Sequence, residues 1–289
     1  MENEKVENKE NIEITDAHIH VDPYQGDGPL HVAKTFYNAG GRIMIIPNKP
    51  AWTTPEPYNY EKNMEKTLKY IKTINKETEV KAYGFLGVHP AEYSNLIRNG
   101  ETYEKAYLRV EKALNYGLEL IKENKELIGI GEIGRPHYPV EDEELKYQNK
   151  IFKHCLNMGK DNGLPVMLHT EDLTREKYMK ISKYCEKIKL EKYHVIKHHA
   201  SNEVLESENY GLTTSLTSNK VNISEALDKK VEPNFLMETD YFDEKKHPGM
   251  VLGPKTVPKR TLQYIDNGQM TLEQAITIHE KVRRKVLKI

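Results

Sequence analysis

Asp16-Ala17-His18-Ile19-His20 places two imidazoles two residues apart at the end of an apolar run. Imidazole suits zinc, iron and nickel, and two on one strand can hold a single ion. The pair alone carries little weight. With 12 histidines in 289 residues, chance supplies roughly half an HxH per chain, the risk any short motif carries. Four more apolar runs end in residues of the same kind. Ile128-Gly129-Ile130-Gly131-Glu132 ends in a carboxylate and Val166-Met-Leu-His169 in an imidazole. Val195-Ile196-Lys197-His198-His199 ends in two imidazoles, and Phe235-Leu-Met-Glu-Thr-Asp240 in a carboxylate. Gathered at one place, these are the donors of a divalent-metal site, and such a site activates water for hydrolysis. Singly, each has a plainer reading: a hydrogen-bonded His169, a capping or turn-forming Asp240, a satisfied Glu132 between Gly131 and Gly134. The plain readings leave their shared position unexplained.

Eight short apolar runs must carry these ends: 12–17, 42–47, 80–88, 127–133, 165–169, 194–198, 212–216 and 235–240. Between them lie helix-period stretches. Ala106, Val110, Ala113, Gly117 and Leu120 trace one face, and Leu145, Gln148, Phe152, Cys155 and Gly159 another. Leu272, Ala275, Ile276, His279, Val282 and Val286 trace a last one, with Thr271 and Gln274 as its capping box. Strands alternating with helices predict a parallel sheet with right-handed crossovers. Eight such units predict a single-domain α/β chain, a (β/α)8 TIM barrel, over residues 12–289, with residues 1–11 a flexible N-terminal lead-in. No GxGxxG or GxxxxGK[ST] supports a dinucleotide or P-loop fold. In such a barrel the site forms at the C-terminal mouth, where all five ligand-bearing ends fall.

Strand parity refines this. On a regular first strand Ile12, Ile14, Asp16, His18 and His20 share one side, so the isoleucines should fill the barrel. Glu132 should share the parity of Ile128 and Ile130. At strand six, His198 should point inward with Ile196, leaving Lys197 toward the helices or solvent. The opposite choice, His199 inward, would bring the Lys197 cation toward a bound metal.

Charge and composition narrow the partner. Lys and Arg number 43 against 44 Asp and Glu, a net charge of −1, without the basic excess of a protein that grips long duplex DNA. No run approaches the roughly 18 apolar residues of a membrane helix, and the start of the chain has no apolar leader. Cys155 and Cys185 make no disulfide framework. The expected location is cytoplasmic, without membrane contact. His89, Arg135 and His137 are the expected substrate contacts, and Glu238 is expected to orient ligands. Lys49, Lys255, Lys259 and Arg260 could ring the mouth but read equally well as solvated loop residues. The Lys281–Lys288 cluster reads as the solvated side of the last helix.

The ordered set D-x-H-x-H, Gly87-Val88-His89-Pro90, Gly131-Glu132-Ile133-Gly134, a strand-five His, a strand-six His and Glu238-Thr239-Asp240 resembles the TatD-type metal-dependent hydrolases of the amidohydrolase superfamily. The match runs from Asp16 to about Asp240. It implies that His18, His20, Glu132, His169, His198 and Asp240 surround one or two divalent ions, with Glu132 bridging. Zinc, manganese, magnesium, iron and nickel all fit that cage. It also implies a metal-activated water, phosphodiester cleavage of the deoxyribonuclease kind, and Asp240 as the acid/base. His198-His199-Ala200-Ser201 departs from the usual His-Cys-Phe-Ser-Gly. Arg135-Pro136-His137-Tyr138 stands where Leu-Asp-Tyr-Tyr is common, and residues 241–260, with Pro248 and Gly249, are also distinctive. These departures mark a divergent branch in which the ligand set survives and the substrate is open. The expected partner is a small or short phosphoester-containing substrate, such as a DNA end. The alternatives are an amide or lactone hydrolase and, outside enzymes, a metal-free barrel binding module. A PHP-type phosphoesterase also opens with HxH but adds a late Asp-x-His, whereas Tyr241-Phe242 follows Asp240.

Overall fold

The computed structural model describes residues 8–245 and 252–289. Eight parallel strands follow one another around a single sheet in chain order: β1 Thr15–Asp16, β2 Ile43–Pro47, β3 Lys81–Leu86, β4 Leu127–Gly134, β5 Val166–His169, β6 Val195–Ala200, β7 Thr213–Thr217 and β8 Phe235–Glu238. The helices outside them are α1 Pro29–Asn38, α2 Tyr60–Glu77, α3 Pro90–Arg98, α4 Tyr103–Glu123, α5 Asp142–Asn162, α6 Arg175–Ile188, α7 Glu206–Asn209, α8 Lys220–Asp228 and α9 Thr256–Asp266. A last helical run comprises α10 Leu272–Ile276, a π-helical turn Thr277–Val282 and α11 Arg283–Leu287. Its Thr271/Gln274 capping box forms as expected. The chain is the (β/α)8 TIM barrel that the alternation of elements predicts.

The barrel closes where β8 meets β1. The Ala17 N–H donates to Met237 O (2.9 Å) and the Asp240 N–H to His18 O (3.0 Å). Buried Asp16 staples the same seam, accepting from the Thr239 N–H (3.0 Å), the Thr239 hydroxyl (2.7 Å) and the His18 N–H (3.2 Å). Burial pushes its carboxyl up to about 7, against those three bonds. Unpaired polar groups would be costly at this depth, so three donors on one acid fix the seam firmly.

One parity expectation fails and a second holds only in part, for one reason. Ala17, Ile43, Ile45, Phe85, Met167, Ile196 and Leu236 fill the barrel, plugged by Val282, Val286 and Leu287 of the last helical run. Ile12 and Ile14 instead pack with Val257, Tyr264 and Ile278 in the helix layer. β1 is only two residues long and the chain bends at Ala17–His18, so parity does not carry from the isoleucines to the histidines. In β4 the register slips between Ile130 and Ile133. Ile128 packs against the barrel-filling side chains as expected, Ile130 and Ile133 face the helices, and Glu132 turns toward the other imidazole-bearing strand ends. A bulge re-aims a side chain in just this way.

At the other ends of the expectations, residues 1–7 lie outside the described residues. Asn8 caps a single 3-10 turn, Lys9–Asn11. Lys259 and Arg260 belong to α9 rather than to a loop, and Arg260 donates to Ser218 O (3.3 Å). Pro248 and Gly249 lie outside the described residues. Among the described residues, no helix is long and apolar enough to cross a membrane. Cys155 and Cys185 are both buried and unpaired.

The connection from β2 to α2 is held by a buried acid. Glu92 of α3 accepts from the backbone N–H groups of Ala51 and Trp52, and burial pushes its carboxyl up to about 8. The folded state therefore keeps the proton that the unfolded chain releases near 4.5. Stability should fall as pH rises from about 4.5 to about 8, then level off. In Glu92→Gln that component disappears, so relative to the parent the variant should gain roughly 4 kcal/mol between pH 5 and pH 9. Urea unfolding of both proteins at the two pH values measures it. A difference that does not change with pH would show Glu92 ionised throughout.

Candidate metal centre

Each ligand-type side chain reaches the mouth by its own local device. His20 Nδ1 lies 3.2 Å from Pro47 O at the end of β2. A carbonyl only accepts, so the proton sits on Nδ1 and Nε2 presents its lone pair. His18 Nε2 faces it at 3.1 Å, with His18 Nδ1 against Met167 Sδ. His198 follows Ile196 inward on β6, almost wholly buried, its ring stacked 4.1 Å from that of His18. His199 takes a left-handed backbone with φ of 48° and is exposed. Asp240 also turns left-handed, with φ of 51°, a conformation Asp tolerates better than most residues. Its Oδ1 stands 3.6 Å from His18 Nε2 and its Oδ2 3.4 Å from His199 Nδ1.

Glu132 lies at the centre. One oxygen, Oε1, is 3.4 Å from His18 Nε2 and 3.3 Å from His20 Nε2. The other, Oε2, is 3.0 Å from His169 Nδ1 and 3.1 Å from His198 Nε2. The carboxylate thus joins two pairs of imidazoles, one per oxygen. Behind His198, Glu238 is fully buried, 3.5 Å from His198 Nδ1, and accepts from the His199 N–H (2.7 Å).

The electrostatics follow from this crowding. Burial opposes the charge on Glu132, but His18 and His198 outweigh it and hold the carboxyl well below the usual range. Burial likewise resists charging His198, yet Glu132 and then Glu238 raise it to about 10. Glu238 falls to about 2 against its burial, through His198. The protein alone therefore stores a proton on His198 to balance its acids.

The donor set fits divalent cations better than it fits protons. His18 and His20 face each other through ring nitrogens 3.1 Å apart, and His169 and His198 do so at 3.0 Å; each such pair can share one proton at most. Among the described residues, His198 Nδ1 and Glu238 Oε2 are buried without a hydrogen-bond partner. Among the same residues, three groups have ligand atoms mutually within 4.8 Å: His18, His20 and Asp240; His18, His198 and Glu238; His89, Glu132 and His169.

The other expected contacts divide. His89 caps α3, its Nδ1 accepting the Ala91 N–H (3.1 Å), and its ring lies 4.1 Å from that of His169. An accepting Nδ1 leaves the neutral ring's proton on Nε2, which makes His89 a donor toward the site rather than a ligand. Burial, then His169, hold its pKa well below the ordinary value. His137 Nδ1 is 3.1 Å from His169 Nε2. Arg135, by contrast, pairs with Glu171 (3.3 Å) and lies over the Phe152 ring, so its guanidinium is engaged elsewhere. Lys49 is held by Asp22 at 2.6 Å beneath the Phe242 ring. Lys197 corrects its expectation: neither among the helices nor in solvent, it is buried in the cleft wall and donates to Thr170 O (3.3 Å) and His198 O (2.8 Å). Sequence reasoning missed His199 as the neighbour of Asp240; the doubled histidine was the available signal.

A cleft of about 760 Å³ opens beside the cluster, lined by His169, His198, His199, Lys197, Asn219 and Asn222 among others. A larger cavity of about 880 Å³ lies around Glu13, Arg42, Lys81 and Arg284. Glu13 there is occupied by Lys81 and Arg283, so the chemistry belongs to the smaller cleft.

The TatD-related DNase family model matches residues 15–288. An uncharacterized protein, MJ1127, of Methanocaldococcus jannaschii is 42% identical over 270 residues, 93% of this chain and 94% of its own. Among solved structures, the Escherichia coli TatD homologue YJJV superposes with a TM-score of 0.66 at 15% identity, over 96% of this chain and 99% of that one. The E. coli phosphotriesterase homology protein, solved with phosphate in its active site, gives 0.61 at 11% identity over 96% and 99%. With the family model spanning nearly the whole polypeptide and its characteristic strand ends gathered around Glu132, this chain belongs to the TatD-related DNase family.

Proposed function

We propose that this protein is a divalent-metal-dependent hydrolase whose preferred substrates are small phosphodiesters, such as the terminal linkage of a DNA strand. The observation that carries the reading is Glu132, whose two oxygens each face a separate pair of imidazoles. His18, His20 and Asp240 would hold one cation and His169 and His198 a second, with Glu132 shared. Bound there, such ions lower the pKa of water and polarise the scissile oxygen.

The chain's own groups do the rest. Asp240, more exposed than Glu132 or Glu238, stands where it can take the proton of the attacking water and return it to the leaving oxygen. His89 offers Nε2–H to a phosphoryl oxygen as charge builds there. Glu238 orients His198, and Pro47 O orients His20. The cleft falls within the usual range for small-molecule sites, and the balanced net charge supports a short substrate over long duplex DNA.

The test is metal analysis followed by a metal-supplemented comparison of bis(4-nitrophenyl) phosphate, 4-nitrophenyl phosphate, a lactone and an amide. Two bound ions per chain are expected, with the diester cleaved at least about tenfold faster than the rest. A faster lactone or amide would move the substrate class. No stoichiometric metal and no stimulation by manganese or zinc would leave a barrel that binds without catalysis.

A further inference from the structure

The chain has one tryptophan, and it stands at the mouth. Trp52 sits in the 3-10 turn Ala51–Thr53 that follows β2. Its ring meets His89 edge-on, with centroids 5.6 Å apart and planes at 72°, and His89 in turn lies 4.1 Å from His169. The indole is only partly buried and is no part of the apolar core. The turn that carries it is nonetheless fixed. Glu92 accepts from its backbone at Ala51 and Trp52, and Asn63 donates to Lys49 O just before it. The Thr53 and Thr54 N–H groups close on Pro50 O and Ala51 O, each at 3.0 Å. A large flat side chain has thus been left partly exposed on a rigid support beside His89. Such a residue offers stacking area with little conformational entropy to lose.

Its place around the barrel says which part of a substrate it would meet. Asp240 follows β8 and touches His18 and His199. Trp52 follows β2 and meets His89, beyond the end of β3, which in turn meets His169. The two thus approach the cluster from different strand ends, Asp240 through His18 and Trp52 through His89 and His169. A leaving group that takes its proton from Asp240 lies beside Asp240, which leaves the Trp52 end of the cluster for the retained group.

We infer that Trp52 is a specificity-determining residue whose indole receives the flat, ring-bearing group, aryl or nucleobase, on the retained side of the scissile ester. The inference rests on the hydrolase reading for the word retained; the ring contact itself does not. Stacking of this kind is worth on the order of tenfold in binding.

Two measurements on the full, metal-loaded chain test it. In the first, emission of the single tryptophan is followed during titration with thymidine 5′-monophosphate and, separately, deoxyribose 5-phosphate. Saturable quenching by the nucleotide alone is expected. In the second, Trp52→Ala and Trp52→Phe are compared on bis(4-nitrophenyl) phosphate and methyl 4-nitrophenyl phosphate, which release the same group and differ only in what is retained. The alanine variant should lose about tenfold in kcat/KM on the first and less than about twofold on the second, with phenylalanine restoring most of the loss. Equal losses on both would mean that Trp52 merely props His89, and no loss on either would remove its role; both overturn the inference. Nucleotide quenching without hydrolysis of any ester would sink the hydrolase reading and leave the ring contact standing. Hydrolysis with neither quenching nor selectivity would do the reverse.

Discussion

Glu132→Gln should lose both its metal and its turnover, with activity down on the order of 10³-fold or more at any fixed metal concentration. The geometry makes this the most damaging single change. Among the described residues, Glu132 is the side chain that meets all four of His18, His20, His169 and His198. An amide keeps the shape and one accepting oxygen but removes the negative charge from between them. Two cations sharing a neutral bridge would repel without compensation, so occupancy should fall from two ions toward one or none. With both proteins freed of metal, the variant should also be less stable than the parent, by about 3 kcal/mol, because a buried partner has been deleted from an ion-paired cluster. The pH dependence has a definite sign. His198, raised to about 10 chiefly by Glu132 against burial, stabilises the fold fully below its ordinary value of 6.5 and loses that contribution as pH rises through 10. Glu132, held well below 4.5, contributes above that value. The deficit of the variant should therefore be widest between about pH 4.5 and 6.5 and shrink toward pH 10. Metal content by elemental analysis, with urea unfolding across that range, decides it. A variant that still binds two ions would show that Glu132 is a spectator of the cluster.

How far the chain could be read in advance depends on what each residue answers to. Strand count and order were legible because apolar runs and helix-period stretches alternate, a signal spread over dozens of residues. The inward choice of His198 was legible because Ile196, two residues before it, fills the barrel, and that parity survives although β6 shifts its register between Lys197 and Ala200. Side-chain direction failed for Ile12, Ile14 and Ile130, each beside an irregularity in its strand. β1 bends after two residues and β4 slips its register, and neither event has a periodic signature in sequence. Arg135 illustrates a different limit. It follows the motif directly, but Glu171 and Phe152, far along the chain, draw its guanidinium away. Glu92 and Trp52 could not be linked from sequence at all, since their connection is one acid reaching across to another element's backbone. Long-range partners of this kind appear only when the elements are packed.

Asp240→Asn should retain its metal and lose turnover by about 10²- to 10⁴-fold, the range for deleting a positioned proton carrier. Unlike Glu132, Asp240 lies at the margin of the cluster, 3.6 Å from His18 Nε2, with its other oxygen near an exposed His199. Asparagine keeps the side-chain length and an oxygen toward His18, so the remaining imidazoles and Glu132 should still hold the ions at millimolar metal. What the amide cannot do is accept a proton and give it back. That distinction has a measurable consequence beyond the size of the loss. An ester that expels 4-nitrophenolate needs little proton help, whereas one that expels an alkoxide needs a full proton at the leaving oxygen. The defect should therefore be at least about tenfold larger on alkyl-leaving diesters than on 4-nitrophenyl ones. The backbone contact that places Asp240, its N–H on His18 O at 3.0 Å, is untouched by the substitution, so a misplaced side chain is not an available explanation. Kinetics on paired substrates at saturating manganese, with metal content checked on the same sample, make the comparison. A loss that is uniform across leaving groups would reduce Asp240 to a ligand and require the returning proton to come from elsewhere, with His199, 3.4 Å away on its other oxygen, the first group to substitute.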